Sequence, residues 1–368
     1  MKRQIIKKPE TEAPRSILQK VCCNLGKAIA FLMVTILLLA AGLYGVMWIL
    51  MKGPSPTAQK LFTLSLKETS AVGFIANMYL PDVEIAEIVN GVSKNNDGET
   101  TDTSLVTVSG NVQTSEPQNT PAGGNSSLGE TPDSDTQGQT DSDDGIKIED
   151  VKGPTFKGLM MIVTDPTRIF VGTPGGYGTG NSGLTLSQMV KNNNAVGGIN
   201  AGGFYDPGGK GNGGTPDGMV ICDGKLAWGD KNTKCRVIGF DVNGILHVGT
   251  MTAQEALDTK IRWAVSFGPA LIINGTQCIG LASGVNPRTA IGQRADGTVL
   301  ILEVDGRQVG SLGATLDDLS DVMLEYGAVN AANLDGGSST LMIYKNKILN
   351  VCASVYGPRE LATSFLIK

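Results

Sequence analysis

Histidine is nearly missing from this chain: His247 is its single copy in 368 residues. That excludes a histidine-rich zinc site. It also makes any Ser-His-Asp catalysis depend on one ring, set in Gly244-Ile245-Leu246-His247-Val248. The alternation there reads as a strand with Leu246 and Val248 on the face opposite His247, so a structural or surface histidine is expected. Basic residues cluster only near the N-terminus, and the formal net charge is −5. That balance argues against a nucleic-acid partner. Aromatics make up only 5% of the chain and vanish altogether between Gly91 and Glu149. A segment so poor in apolar side chains cannot offset its ordering entropy, and residues 91–149 are expected to be a disordered acidic linker.

Charge is absent from one further stretch. Residues 28–51 hold no ionisable acid or base and consist mainly of Leu, Ile, Val, Ala and Met. At ~1.5 Å per residue this crosses a hydrocarbon core of ~30 Å. No polar face interrupts the run, which argues against a buried helix of a soluble domain. Lys2, Arg3, Lys7, Lys8, Arg15, Lys20 and Lys27 precede it, whereas only Lys52 and Lys60 follow closely. The positive-inside bias predicts a single-pass cell-membrane protein with a cytoplasmic basic stub (1–27), an anchor (28–51) and everything later outside. A cleaved signal peptide is the competing reading, but the run exceeds a usual h-region and Met51-Lys52-Gly53-Pro54 is no small-x-small site. Residues 52–90 show two loose helical patterns, the second opening at Pro81 with acids in its first turn, and read as a membrane-proximal helical stalk.

Cys22 and Cys23 fall on the cytoplasmic side, free or acylated. Cys222, Cys235, Cys278 and Cys352 fall outside, where two disulfides are permitted in three connectivities. A Cys222–Cys235 bridge is the first choice because it closes a local loop. Without Cys-x-x-Cys spacing zinc is not expected.

Glycine is abundant, 49 residues concentrated after 150, as in a strand-rich domain with many tight turns. Residues 150–368 are ample for one core. Lys157–Val163 reads as a buried strand, Leu186–Lys191 as a short helix, and Ala195–Asn200 as a strand. Asp223-Gly224, Asn243-Gly244, Asn274-Gly275 and Asp296-Gly297 mark successive hairpins. Thr315 to Tyr326 reads as a helix with Thr315 as N-cap and Gly327 at C′. The expected fold is α+β, mostly antiparallel sheet with a few helices, preceded by the transmembrane helix and the linker.

Three stretches carry chemistry. Asn333-Leu334-Asp335-Gly336-Gly337-Ser338-Ser339-Thr340 delivers a carboxylate, two glycines and three hydroxyls in sequence. Glycines bring bare amides close to a ligand, and hydroxyls with amides suit a polyol or a phosphate. Read alone, the same residues make a tight turn. In Val299–Arg307, period two puts Glu303 and Asp305 on one face, ~6.6 Å apart at Cα. Such a pair splits its pKa values and is the usual equipment for glycosidic cleavage. An exposed Glu303 and a turn-forming Asp305 are the plain alternative. Arg288 and Arg359 could hold a phosphate bidentately or make surface ion pairs.

Taken in order, Ile199-Asn200-Ala201-Gly202-Gly203-Phe204-Tyr205, Pro287-Arg288-Thr289-Ala290-Ile291-Gly292, Val304-Asp305-Gly306-Arg307, Asn333–Thr340 and Arg359-Glu360-Leu361-Ala362-Thr363 resemble the phosphodiester glycosidase family over roughly 155–368. The resemblance implies hydrolysis of the bond between an anomeric carbon and a phosphodiester oxygen in a phosphate-linked glycan. It implies Asp335 as the leading catalytic carboxylate, with Asp305 or Glu303 as partner. It implies substrate contacts from Arg288, Asn200, Gly203, Phe204, Asn333, Gly336, Gly337, Ser338, Ser339 and Arg359. A transferase remodelling phosphate-linked cell-wall polymers and a non-catalytic glycan-binding module are the alternatives. No cofactor is implied. Asp206, Asp305 and Asp335 are hard oxygen ligands for a divalent cation, but their spacing does not require one.

Overall fold

The computed structural model describes residues 17–69, 72–90, 99–108, 144–278, 280–281, 283–354 and 356–368. Most of the basic stub and most of the expected linker, 91–98 and 109–143, lie outside the described residues. The chain divides into two compact units, Met1–Gln59 and Lys60–Lys368. In the first, α1 (Ile17–Lys52) contains the stretch Asn24–Lys52, long and apolar enough to cross a membrane and without buried side chains in its apolar window. Lys52-Gly53-Pro54 ends it, since proline disfavours helical geometry in the residue before it.

The remaining helices are α2 (Pro56–Lys67), which carries Lys60 to Lys67 into the second unit, α3 (Phe74–Tyr79), α4 (Asp82–Asn90), α5 (Leu186–Asn192), α6 (Ala253–Asp258) and α7 (Leu316–Glu325). The strands begin with β1 (Ile146–Lys152), β2 (Lys157–Val163), β3 (Ile169–Gly172), β4 (Gly197–Asn200), β5 (Val220–Cys222), β6 (Lys225–Trp228), β7 (Cys235–Asp241), β8 (Leu246–Met251) and β9 (Ile261–Val265). They continue with β10 (Ala270–Ile273), β11 (Thr276–Gln277), β12 (Arg288–Arg294), β13 (Val299–Val304), β14 (Ala328–Leu334), β15 (Met342–Tyr344), β16 (Lys347–Ile348) and β17 (Ser364–Ile367).

All ladders between these strands are antiparallel, and they build three sheets. Their spatial orders are β1-β2-β13-β12-β14-β10-β11, β16-β15-β4-β17-β3 and β6-β5-β9-β7-β8. The mixed helix and antiparallel-sheet fold is the one expected. Its middle strands are buried on both faces: every residue of β13 is inside, Val299 to Val304. One main core runs from Met160 and Ile162 through Leu300 and Leu302 to Phe240 and Phe365, and so joins the sheets. Turn chemistry fixes the hairpins. Asp223-Gly224 (φ 50° and 71°) and Asn274-Gly275 (φ 52° and 77°) have the paired positive φ of type I′ turns. Thr315 caps α7 in a reciprocal box with Asp318, and Gly327 at φ 82° ends it.

The structure departs from expectation at three places. First, β1 starts at Ile146 rather than at residue 150. Residues 99–108, assigned to the disordered linker, are laid onto the domain instead. Val248 N donates to Thr101 Oγ1 at 2.9 Å, Asp102 N to Asn274 Oδ1 at 2.7 Å, and Thr107 N to Ala295 O at 2.8 Å. Composition missed this because the strap is held by its backbone, with only Val106 buried. Second, Cys222 and Cys235 are thiols, so the Cys222–Cys235 bridge is not formed. Cys235 Sγ instead sits 3.3 Å from Ser266 Oγ. Third, the Glu303 and Asp305 pair is not presented on an open strand face: Glu303 is buried within β13, which ends at Val304, and the plain alternative, an exposed Glu303, does not hold either. His247 behaves as the structural reading required: it is buried, with Nε2 3.3 Å from Asp241 Oδ2.

Candidate active site

The loop after β14 crosses from the seven-stranded sheet to β15 in the second sheet. Its geometry explains its glycines. A Cβ on Gly336 would lie 2.8 Å from Pro287 O, and Gly337 adopts φ 61° while its N–H donates to Pro287 O at 2.8 Å. A side chain is crowded at the first position and strained at the second. Asp335 N donates to Ala201 O at 2.9 Å, and Gly336 N donates to Asp335 Oδ1 at 2.9 Å. Beneath the loop, fully buried Asn200 accepts at Oδ1 from Thr289 Oγ1 and Leu341 N, both at 3.1 Å, and donates from Nδ2 to Asp335 O. One amide thus ties β4, β12 and the loop together.

Asp335, Gly336, Gly337, Ser338 and Asn333 line a cleft of about 880 Å³ together with Arg288, Arg307, Arg359 and Asp206. On one wall Arg359 forks onto Asp206, Nη1 to Oδ2 at 2.9 Å and Nη2 to Oδ1 at 2.8 Å, and reaches Ser338 Oγ at 3.3 Å. Its guanidinium lies 5.0 Å from the Phe204 ring centroid. On the other wall Arg288 is buried and committed, Nε to Ala314 O at 3.1 Å and Nη2 to Gly284 O at 2.7 Å and Glu68 Oε2 at 2.6 Å. Beside it Arg307, exposed and at φ 59°, donates from Nη2 to Thr69 Oγ1 at 2.8 Å and Asn286 Oδ1 at 3.1 Å. The same nitrogen would stand 3.3 Å from a Cβ on Gly337.

Burial pushes the Asp335 carboxyl up to about 6; Ser339, the Arg359 charge and the Gly336 amide restrain the rise, and the Asp206 charge adds to it. Although the Arg307 residue as a whole is exposed, desolvation of its guanidinium end holds it below the usual value, with the Arg288 charge acting the same way and Glu68 opposing. At the cleft floor, buried Asn333 donates from Nδ2 to Gly268 O at 2.9 Å while its Oδ1 has no partner within the protein.

The sequence candidates therefore separate. Asp335, Asn333, Gly336, Gly337, Ser338, Arg288 and Arg359 meet in the cleft. Asn200, Gly203, Phe204 and Ser339 are buried around it as support; a Cβ on Gly203 would stand 2.8 Å from the Phe267 ring. Glu303 and Asp305 are not among the cleft-lining residues. Asp305 Oδ1 accepts from Val351 N at 3.1 Å, whereas both Glu303 oxygens are buried, with the Asn350 and Asp305 side chains beside them but outside good hydrogen-bond geometry. Burial, then the Asp305 charge, raises Glu303 well above the usual carboxylate range. Arg307 was overlooked although the quoted Asp305-Gly306-Arg307 string contains it. Glu68 and Thr69, from the expected stalk, line the cleft with no local signal in the sequence. Among the described residues no three His, Cys, Asp or Glu side chains group to hold a metal ion.

An antiparallel α+β domain whose strand ends gather a buried carboxylate, three arginines and a glycine–serine turn is built to take an anionic, hydroxyl-rich ligand. Residues 193–368 match the sequence profile of the phosphodiester glycosidase family, and the chain carries a domain of that family. It is 46% identical over 65 residues to the SPbeta prophage-derived uncharacterized protein YomE of Bacillus subtilis, covering 18% of this chain and 10% of that protein. It is 24% identical over 221 residues to N-acetylglucosamine-1-phosphodiester alpha-N-acetylglucosaminidase of Mus musculus, covering 53% of this chain and 41% of the mouse enzyme. The chain thus spans less than half the length of these relatives. The zebrafish catalytic domain of that enzyme, described as auto-inhibited by its pro-peptide, shares the fold. The TM-score is 0.51 at 22% identity, over 60% of this chain and 81% of that one.

Proposed function

We propose that this protein hydrolyses a sugar-1-phosphodiester, breaking the bond between the anomeric carbon and the phosphate oxygen. The observation that carries the reading is Asp335, at the floor of a cleft between arginines with its carboxyl pushed up to about 6. A carboxyl titrating there is ionised at neutral pH yet basic enough to take a proton from water. Water attacks the anomeric carbon, Asp335 accepts its proton, and the phosphate oxygen leaves with the bonding pair. The leaving group is a phosphomonoester whose second pKa is about 6, so it departs without the general acid that an alcohol needs. That chemistry accounts for a single unpaired carboxylate at the floor, without Glu303 or Asp305. Arg307 and the Gly337–Ser338 turn face the departing phosphate.

The activity of the mouse relative, an N-acetylglucosamine-1-phosphodiester alpha-N-acetylglucosaminidase, supports N-acetylglucosamine as the sugar. The seven basic residues before the apolar run 28–51, against Lys52 and Lys60 after it, support a membrane anchor with the domain outside the cell. The test uses the full chain in detergent with the methyl diester of N-acetylglucosamine 1-phosphate. Free sugar in water supports the hydrolase, and product only with an added hydroxyl acceptor replaces it with a transferase. Binding without turnover overturns both.

A further inference from the structure

We propose that Glu68 sets the charge this cleft accepts, so that it admits a phosphate diester and rejects a phosphate monoester. The inference deepens the phosphodiester reading above and rests on it. Glu68 belongs to a segment fixed into the cleft wall. A Cβ on Gly284 would lie 2.1 Å from Ser65 N and 2.3 Å from Ser65 Cα, so only glycine lets this segment seat. Val285 N donates to Ser65 Oγ at 2.8 Å. The Glu68 carboxylate then takes three donors: Gly284 N on Oε1 at 3.0 Å, and Asn286 Nδ2 at 2.8 Å and Arg288 Nη2 at 2.6 Å on Oε2. Thr69 accepts from Arg307. Thr63 and Leu64 are buried beneath the same segment.

The consequence is a charge balance. Glu68 neutralises Arg288, and Asp206 neutralises Arg359 through the fork. Lys210 and Glu360 stand on the lining with opposite signs. Arg307 remains as the lining arginine without a carboxylate partner at hydrogen-bond distance, beside the Gly337 turn, and Asp335, ionised above about 6, offsets its charge, so the lining carries no net charge. A diester adds one negative charge to it. A monoester above its second pKa of about 6 carries two, and its extra charge meets Glu68 and Asp335. Hydrolysis turns the first species into the second: the C1–O bond breaks, the phosphate oxygen keeps the pair, and the proton lost from water is released. Glu68 therefore also helps expel the phosphate product.

Dimethyl phosphate and methyl phosphate, titrated calorimetrically into the full chain at pH 8 and pH 5, test this without turnover. The wild type should prefer dimethyl phosphate at pH 8. Glu68→Gln, which keeps an acceptor for Gly284 N, should tighten methyl phosphate about tenfold at pH 8, the scale on which one like charge acts at this range. It should tighten dimethyl phosphate only about threefold, as half the charge requires, and the difference between the probes should vanish at pH 5, where both are monoanions. A wild type that prefers methyl phosphate at pH 8 overturns the proposal whatever the variant does. Equal tightening of both probes in Glu68→Gln also overturns it and makes Glu68 an occluding anion. Charge preference without sugar release from the N-acetylglucosamine diester keeps the selectivity and removes the hydrolase.

Discussion

Asp335→Asn should cost the protein its proposed chemistry and make it more stable, and the second effect can be sized from the structure. Burial raises the carboxyl from its ordinary 3.8 to about 6 in the folded state. At 1.36 kcal/mol per pKa unit, the ionised carboxylate therefore costs the fold about 3 kcal/mol. The folded state holds the proton more tightly than the unfolded chain. The penalty is thus fully present above pH 6, shrinks as pH falls through the window, and is gone below 3.8. Asparagine never ionises, and its Oδ1 can keep the Gly336 N–H. The variant should gain about 3 kcal/mol at pH 8 and nothing at pH 4, a rise in Tm of roughly 5 °C for a unit this large. Paired thermal melts of wild type and variant at the two pH values measure it, with sugar release followed on the same samples. A gain of equal size at both pH values, or a loss at pH 8, refutes burial as the cause. Retained sugar release refutes Asp335 as the base.

The same ionisation should shape the rate. If Asp335 acts as a base, kcat/KM falls on the acid side with a midpoint near 6, tenfold per pH unit below it; a midpoint near 4 would point to an ordinary exposed carboxylate. Asn200→Ala leaves Thr289 Oγ1, Leu341 N and Asp335 O short of a partner, and at about 1–3 kcal/mol for each buried orphan should cost roughly 3 kcal/mol or more in urea unfolding. Glu303→Gln should leave kcat near the wild-type value, because the side chain does not line the cleft; a drop of about a hundredfold, the usual minimum for losing a general acid or base, would restore it as a catalytic partner.

Residues whose conformation is decided by near neighbours were legible from the sequence. Thr315 caps α7 because its hydroxyl reaches the Asp318 amide three residues on, and Asn274-Gly275 turns because both residues tolerate positive φ. The tight turn at Asp335 was legible for the same local reason: the glycines after the aspartate allow it, although Gly336 N and Gly337 N then bond within the protein, to Asp335 Oδ1 and Pro287 O. Glu303 and Asp305 show where that reasoning stops. Period two places their side chains on one face of β13 but does not say what covers that face, and here β13 lies between β2 and β12 with every residue buried. A carboxylate pair that looks catalytic in one dimension is therefore split in three, Glu303 buried within β13 and Asp305 half-buried just past its end. Glu68 is the opposite failure. It stands 220 residues from Arg288, in a segment whose pattern announces only a helix, and its function as a wall depends on Gly284 being bare where Ser65 arrives. Charge matching at an anion site is a sum over residues from distant parts of the chain. Its sign at Arg307 is settled by Glu68 and Asp206, neither of which any local motif connects to it.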